Sequence, residues 1–239
     1  MPSVTKTEVR KKVWTALARA GAGRFPFPLT GRIPNFEGAE QAAARLARHP
    51  VWRQARILKC NPDAPQRPVR LRALEDGKIV YMAVPRLRSQ RCFLRLDPAE
   101  IDPRHLRRAA GIAGSARYGV PVTAGELPPI DLIVAGSVAV RPNGARAGKG
   151  GGYSDLEFGL ATLLGKIQDA TRIVTTVHDL QVVSDRWPVA PYDIPLDYIF
   201  TPSRTMKCKH PHPRPESIVW ELLDPAMRRD IPALDALAP

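Results

Sequence analysis

The sequence contains little cysteine and no long apolar run. Its three cysteines, Cys60, Cys92 and Cys208, are an odd number at wide spacings, which fits neither a disulfide framework nor a paired zinc motif. No stretch reaches the ~18 consecutive apolar residues of a membrane-spanning helix, and the first residues lack the apolar core of a signal peptide. We therefore expect a cytoplasmic protein without a membrane partner.

Acidic and aromatic residues are also few. Asp and Glu total 23 against 36 Lys and Arg, which gives a formal net charge of +13, and aromatic residues make up 6%. This charge favours an anionic partner, and a nucleotide, a polyglutamate tail, RNA and an acidic membrane all satisfy it. RNA-binding surfaces usually stack bases on exposed aromatic side chains, so the low aromatic content and the lack of an RNP-like motif argue against nucleic acid.

The hydrophobic pattern predicts an α/β fold. With 239 residues and 44% hydrophobic content, we expect one domain over 1–239, in which 203–239 form a proline-rich C-terminal tail on the surface. Helices are predicted at "TKTEVRKKVWTAL", with a capping box of Thr5 and Glu8, at "EGAEQAAARLARH", and in broken form at "PAEIDPRHLRRAAGIA".

Short strands are predicted at "ARILKC", "VRLRAL", "KIVYMAV" and "RCFLRL", with "EDGK" as a hairpin turn between the second and the third. "IDLIVAGSVAV" is predicted as one continuous buried strand, and "TRIVTTV" and "LDYIFTP" as two more. Alternation of buried strands and helices in the second half favours a parallel or mixed central sheet with helices on both sides.

The stretch "GARAGKGGGYSDLEFGLATLL" places several glycines directly before a predicted helix. Backbone amides without flanking Cβ atoms can converge on an anion such as phosphate, and the glycines concerned are Gly148, Gly150, Gly151 and Gly152. The spacing matches neither a Walker A loop, because Gly150 follows Lys149, nor the dinucleotide motif GxGxxG. Ser154 and Glu157 have capping-box spacing, which predicts that the helix begins at Asp155 with its positive end toward the glycines.

Asp155 leaves two interpretations open. A carboxylate beside a phosphate would repel it unless a cation lay between them, and Mg²⁺ binds through one or two carboxylates together with substrate phosphates. Alternatively, Asp155 complements the helix dipole and the glycines form a tight strand-to-helix turn.

Three blocks of residues, in order along the chain, match the pattern of one known family. The first is a K-x-x-x-R pair, Lys6 and Arg10. The second is R-x-G-x-G-x-G-Y-Y-D, matched by Arg146, Gly148, Gly150, Gly152, Tyr153 and Asp155. The third is a glutamine, Gln181, followed by "YDIPLDYIFTP" with Asp193, Asp197 and Thr201. The sequence thus resembles the 5-formyltetrahydrofolate cyclo-ligase family, and most closely its divergent branch of methenyltetrahydrofolate synthetase domain-containing proteins.

The resemblance implies a three-layer α/β sandwich, similar to the sugar-phosphate isomerase and CoA-transferase group. It also implies ATP- and Mg²⁺-dependent conversion of 5-formyltetrahydrofolate to 5,10-methenyltetrahydrofolate, by a monomer or weak dimer. The implied ATP-binding residues are Lys6, Arg10, Arg146, Gly148, Lys149, Gly150, Gly151, Gly152, Tyr153 and Ser154. Of these, Arg146, Lys149 and Tyr153 would be catalytic, while Asp155 and Asp193 would bind Mg²⁺.

The sequence departs from the family pattern at the folate pocket. Ser154 and Leu156 stand where the family has tyrosine and arginine, and "NPDAPQRPVRL" and "PRLRSQRCFLRL" show neither the family's glutamate nor its methionine clearly. Two alternatives therefore stay open: a cyclo-ligase-like protein with another substrate, and a protein that kept the fold and binds RNA or another polyanion.

Other chemistry-bearing residues have simpler interpretations. Adjacent residues at a strand end face opposite sides, so His178 and Asp179 are not expected to act as a catalytic pair. Cys208, His210 and His212 in "CKHPHP" match no common zinc spacing, and we expect a surface loop. "RLRSQRCFLRL" is typical of a strand with one solvated face, and a track for phosphate or polyglutamate is the second interpretation.

Overall fold

The chain folds around one mixed β-sheet with helices on both faces. The computed structural model describes residues 4–209, 213–235 and 237. The helices are α1 (Lys6–Arg19), α2 (Ala39–Ala47), α3 (Pro50–Gln54), α4 (Arg67–Glu75), α5 (Leu106–Ala109), α6 (Ile112–Tyr118), α7 (Tyr153–Leu163) and α8 (Pro225–Asp230). The strands are β1 (Gly23–Arg24), β2 (Asn35–Phe36), β3 (Ile57–Cys60), β4 (Ile79–Ala83), β5 (Phe93–Leu96), β6 (Val120–Val122), β7 (Ile130–Val134), β8 (Ala139–Val140), β9 (Arg146–Ala147), β10 (Ile167–Thr176), β11 (Tyr198–Phe200) and β12 (Thr205–Lys207).

The main sheet has eight strands in the order β12-β11-β10-β7-β3-β4-β5-β6. The five strands from β11 to β4 are parallel to their neighbours, whereas β12, β5 and β6 join antiparallel. The carboxyl ends of parallel strands meet at one edge, where α/β folds commonly form their binding sites. The loops after β3, β7 and β10 therefore open at the same edge.

Two apolar clusters fill the space between the sheet and its helices. On one face, Leu156, Phe158 and Leu160 of α7 pack against the sheet together with Ile218 and Ile231 from the end of the chain. The other face is covered by α2 to α5. This arrangement confirms the predicted α/β sandwich with a mixed central sheet.

Helix α1 forms a third cluster outside these layers. Its buried residues Val9, Val13, Trp14 and Leu17 follow helical spacing, and they pack against the small β8–β9 sheet. The predicted capping box is present, because the Thr5 hydroxyl accepts from the Glu8 backbone and the Glu8 carboxylate accepts from the Thr5 backbone. Helix α1 is thereby held beside the loop that follows β9.

The predicted strand at "VRLRAL" and the "EDGK" hairpin are wrong. The segment lies in α4, whose buried residues Val69, Arg70, Ala73 and Leu74 have helical spacing. Gly77 ends the helix with φ of 74°, a left-handed conformation that glycine adopts without a Cβ penalty. Strand β4 then pairs in parallel with β3.

Two further predictions differ from the structure. "IDLIVAGSVAV" is not continuous: β7 ends at Val134, and Ala139–Val140 forms β8, which pairs with β9. The C-terminal tail does more than cover the surface, because it contributes edge strand β12 and buries Ile218 and Ile231. Among the residues described, no helix is both long and apolar enough to cross a membrane.

Candidate active site

The glycine loop, residues 148–152, lies between β9 and α7 and adopts conformations that other residues rarely take. Gly150 has φ of 110° and Gly152 has φ of 69°, in the left-handed region that favours glycine. Gly152 is the N-cap of α7, and no side chain caps the helix. The helix therefore begins at Tyr153, two residues before the predicted start.

The predicted capping box fails because its two members bond elsewhere. Glu157 is buried and forms an ion pair with Lys59 of β3. The Ser154 hydroxyl accepts a hydrogen bond from the Asn61 side-chain amide at 3.4 Å. The first turn of α7 is thus tied to the end of β3, and its backbone amides are left without a side-chain cap.

Helix α1 brings its basic residues against the glycine loop. Arg10 Nε donates to the Gly148 carbonyl at 2.6 Å, and a Cβ on Gly150 would lie 3.6 Å from the Arg10 guanidinium. Burial lowers the pKa of Arg10, and the nearby Asp193 carboxylate opposes this shift. Arg10 therefore presents a partly desolvated positive charge beside the loop, which strengthens its interaction with an anion.

Two ion pairs join the predicted phosphate-binding residues to the predicted magnesium ligands. Lys6 Nζ lies 2.5 Å from Asp193 Oδ2, and Arg146 Nη2 lies 2.6 Å from Asp155 Oδ1. The Ile194 backbone amide donates to Asp155 Oδ1 at 3.2 Å, so the two carboxylates belong to one site. The structure brings together residues that are 187 positions apart along the chain.

The carboxylates fit magnesium only in part as they stand. Both oxygens of Asp193 bond to Lys6, and Oδ2 also accepts from the Ala190 amide. Asp155 uses Oδ1 for Arg146 and Ile194, which leaves Oδ2 outside those contacts. In the described part of the chain no group of three or more His, Cys, Asp or Glu residues is arranged for a metal. One or two carboxylates with phosphate oxygens and water suit Mg²⁺, so the donor set fits an ion that arrives with a nucleotide.

The remaining predicted residues also lie at the loop. Lys149 is half-exposed and its Nζ lies 3.2 Å from Asp63 Oδ1. Tyr153 is partly buried against the core, and a Cβ on Gly151 would lie 3.1 Å from its ring. Arg146 is buried and donates to the Gly136 carbonyl, which places it beneath the loop.

Three residues for which the sequence predicted no role, Asp63, Gln66 and Gly136, form a polar cluster with the predicted residue Lys149. Gln66 is fully buried, and neither atom of its amide has a hydrogen-bond partner among the described residues. A Cβ on Gly136 would lie 3.1 Å from Asp63 Oδ2 and 3.3 Å from Gln66 Oε1, so the backbone approaches both groups closely. The segment "NPDAPQ" carries no motif that would have indicated this cluster. An unpaired buried amide is costly, so a polar group that reached Gln66 would recover this cost.

On another side of the glycine loop lies an apolar cavity of about 220 Å³. Its wall comes from the loop, from α7, from Tyr192 and from the C-terminal segment. The lining residues are Gly150, Gly151, Gly152, Asp155, Leu156, Gly159, Tyr192, Ser217, Ile218, Val219, Leu222, Leu223, Asp224 and Met227. Burial raises the pKa of the Tyr192 phenol, with the negative charges of Asp193 and Asp155 adding to the effect, so Tyr192 is neutral at physiological pH.

His178 and Cys208, noted in the sequence for their chemistry, have structural roles. His178 Nδ1 accepts from the Leu180 amide at 3.1 Å, and burial lowers the pKa of His178. Asp179 instead accepts from Thr201 and Ser203. His210 and His212 lie outside the described residues, while Cys208 is buried and burial raises its pKa to about 12.

Comparison with known proteins identifies the family of the chain. The model of the 5-formyltetrahydrofolate cyclo-ligase family matches residues 2–202. A methenyltetrahydrofolate synthase domain-containing protein of Mus musculus is 38% identical over 232 residues, 97% of this chain and 62% of that protein. The Danio rerio protein of the same description is 34% identical over 98% of this chain and 61% of its own length. The chain thus spans less than two thirds of the length of these relatives.

A solved structure shows the same fold. The 5,10-methenyltetrahydrofolate synthetase of Aquifex aeolicus superposes with a TM-score of 0.54 at 20% identity, covering 87% of this chain and 95% of that one. At that identity the likeness concerns the fold alone. The family match, however, extends over most of the chain. The chain belongs to the 5-formyltetrahydrofolate cyclo-ligase family.

Proposed function

We propose that the protein closes the ring of 5-formyltetrahydrofolate with ATP, giving 5,10-methenyltetrahydrofolate, ADP and phosphate. The proposal rests on the position of Arg10, which donates a hydrogen bond to the Gly148 carbonyl of the glycine loop. The Lys6–Asp193 and Arg146–Asp155 ion pairs lie beside it. The γ-phosphoryl group passes to the formyl oxygen, N10 attacks the formyl carbon and loses its proton, and that oxygen leaves as phosphate. Such a reaction needs positioning and charge neutralisation more than covalent help from the protein.

Phosphate binding requires the Lys6–Asp193 ion pair to open. Lys6 would leave Asp193 for a phosphate oxygen, joining Arg10, Lys149 and the amides of the glycine loop. Magnesium, held by Asp155 and Asp193, would neutralise charge on the phosphates. Arg146 stays paired with Asp155 and keeps that carboxylate oriented beneath the loop, since Arg146 is the more buried partner of the pair.

The polar cluster is the proposed site for the pterin ring. A 2-amino-4-oxo pterin edge presents N–H donors and a carbonyl acceptor. Asp63 accepts hydrogen bonds, and the Gln66 amide can both donate and accept. Asp63 and Lys149 are paired, so the cluster adjoins the phosphate-binding loop. Tyr153 and Ser154, in the first turn of α7, would line the junction between nucleotide and folate.

Turnover by site variants tests the proposal. We expect Asp155→Asn and Lys6→Ala each to lower turnover about 100-fold or more, because each removes charge stabilisation of the transferred phosphoryl group. Absorbance of methenyltetrahydrofolate and release of ADP would be followed together. Lys12→Ala is the matched control, since Lys12 lies on the same helix and pairs with Asp185 at the surface.

Normal turnover in both site variants would contradict the assignment of Asp155 and Lys6 to the active site. If the wild-type protein binds ATP yet forms no product from 5-formyltetrahydrofolate, the nucleotide site stands and the second substrate is different. Affinity for RNA that falls steeply with salt, without nucleotide binding, would instead favour the polyanion-binding alternative.

A further inference from the structure

The C-terminal segment, residues 213–235, lies beyond the family match at 2–202 and forms one wall of the apolar cavity. We propose that this cavity binds the purine ring of ATP and that residues 217–227 supply the contacts that hold it. The inference rests on the proposed function, because it assumes that the nucleotide's phosphates occupy the glycine loop.

The wall is a fixed part of the fold. Ile218, Ile231 and Leu234 are buried in the core beside α7. The Ser217 carbonyl and the Ile218 Cα approach Gly159 so closely that a Cβ there would lie 3.1 and 3.3 Å from them. The segment is therefore packed onto the helix whose amino end bears the glycine loop.

The size and chemistry of the cavity suit a neutral ring. Its volume of about 220 Å³ exceeds the ~150 Å³ of an engineered apolar cavity that takes up benzene. Leu156, Ile218, Leu222, Leu223 and Met227 give it an apolar wall. Asp224 is acidic and lines the cavity among these apolar residues, and no Lys or Arg of the described chain lines it, so this part of the cavity offers no positive charge to a phosphate group.

The position of the cavity follows the shape of a nucleotide. Gly150, Gly151 and Gly152 line it on one side, while Arg10 contacts the same loop at Gly148. A nucleotide could therefore place its phosphates near Lys6 and Arg10 and its base in the cavity. Tyr192 stands between these regions, since it lines the cavity and Lys6 Nζ lies 6.0 Å from its ring centroid.

The pterin ring of the folate is the competing occupant of the cavity, and the hydrogen-bonding groups on its edge argue against that placement. A pterin edge needs several hydrogen-bond partners, which the polar cluster of Asp63 and Gln66 offers. The apolar wall offers shape and apolar surface instead, and a purine ring stacks and packs in such an environment.

The test compares three ligands by calorimetry: ATP, inorganic tripolyphosphate and 5-formyltetrahydrofolate. The variant carries Leu222→Ser and Met227→Ser together; Leu222 is 55% exposed and Met227 is partly buried at the edge of the core, so circular dichroism first checks that the fold is native. We expect the Kd for ATP to rise about tenfold through loss of apolar contact with the base. The Kd values for tripolyphosphate and for the folate should stay unchanged. Ile112→Ser is the control, because Ile112 is 56% exposed and lies on α6, outside the cavity.

Three outcomes would overturn the inference. An unchanged Kd for ATP in the double variant would show that the base does not bind in the cavity. The phosphate site and the proposed function would be unaffected by that result. A weaker folate affinity with unchanged ATP affinity would assign the cavity to the pterin. Failure of the wild-type protein to bind ATP would overturn this inference and the proposed function together.

Discussion

Lys59 and Glu157 form an ion pair inside the molecule, beneath the first turn of α7. Their side chains are only 5% and 7% exposed, and Lys59 Nζ also donates to the Asn61 side chain at 3.0 Å. Removing one partner of such a pair leaves an uncompensated buried charge, whereas removing both leaves none. The pair therefore couples β3 to the helix that carries the glycine loop.

We expect Lys59→Met or Glu157→Met alone to lower the free energy of unfolding by about 3–5 kcal/mol. The double variant should lose less than the sum of the single losses, because no charge stays buried. Urea unfolding of the four proteins measures this coupling. Lys12→Met is the control at an exposed pair, with Lys12 62% exposed, and should cost less than about 1 kcal/mol. Additive losses at Lys59 and Glu157 would contradict the coupling.

At single residues, the sequence predicted that Lys6, Arg10 and Asp155 would lie in one site, but it did not predict that Asp63 and Gln66 would meet. The spacing of Lys6, Arg10 and Asp155 belongs to a family pattern, and the structure places these residues together. Asp63 and Gln66 had no such pattern, because their meeting depends on how the loop after β3 passes Gly136. A contact that forms only through tertiary packing leaves no periodic pattern in the local sequence.

Among the elements, α7 and the C-terminal segment depend on each other at Gly159. Alanine is favoured over glycine within a helix by about 1 kcal/mol, but a Cβ at this position meets the Ser217 carbonyl at 3.1 Å. The helix is continuous and cannot shift easily, whereas the segment near Ser217 has no regular structure. The segment is therefore the part that must move.

We expect Gly159→Ala to loosen the C-terminal segment without unfolding the sheet. Trypsin should cleave after the exposed residues Arg228 and Arg229 about tenfold faster, because cleavage follows the population of the open form. Circular dichroism should stay native. Leu163→Ala, on the same helix at an exposed position, should leave the cleavage rate unchanged. Equal cleavage of both variants would show that the segment accommodates the added methyl group.

The helix α4 shows why one element was predicted wrongly. In "VRLRAL" the arginines alternate with apolar residues, which favours a strand with one wet face. Arg70, however, is buried, and its guanidinium donates to the carbonyls of Ala110 and Asp63 at 2.8 and 3.1 Å. With Arg70 counted as a core residue, the buried positions follow helical spacing. The sequence pattern alone cannot reveal a buried arginine.

For the whole molecule, the ends of the main sheet bear on the state of association. The sheet ends at β12 and β6, which have three residues each. Pro121 in the middle of β6 lacks a backbone N–H group, and short strands or proline at an edge disfavour pairing with another chain. The two edge strands therefore disfavour a dimer in which the sheets of two copies join.

We expect light scattering after size exclusion to give 26.3 kDa, the mass of one chain. If two copies associate at high concentration, we expect that dimer to dissociate on dilution, because neither edge strand offers a long row of free backbone groups. A mass near twice this value that persists on dilution would contradict the prediction.

The Lys6–Asp193 pair joins the first helix to a loop near the end of the chain, and the cavity wall extends to Met227. During synthesis on the ribosome, Lys6 and Arg10 of α1 emerge long before their partners Asp193 and Gly148 exist. The site therefore cannot form until nearly all of the described chain has left the exit tunnel. A ligand of this site would stabilise only a chain synthesised as far as this cavity wall and could not help a shorter one to fold.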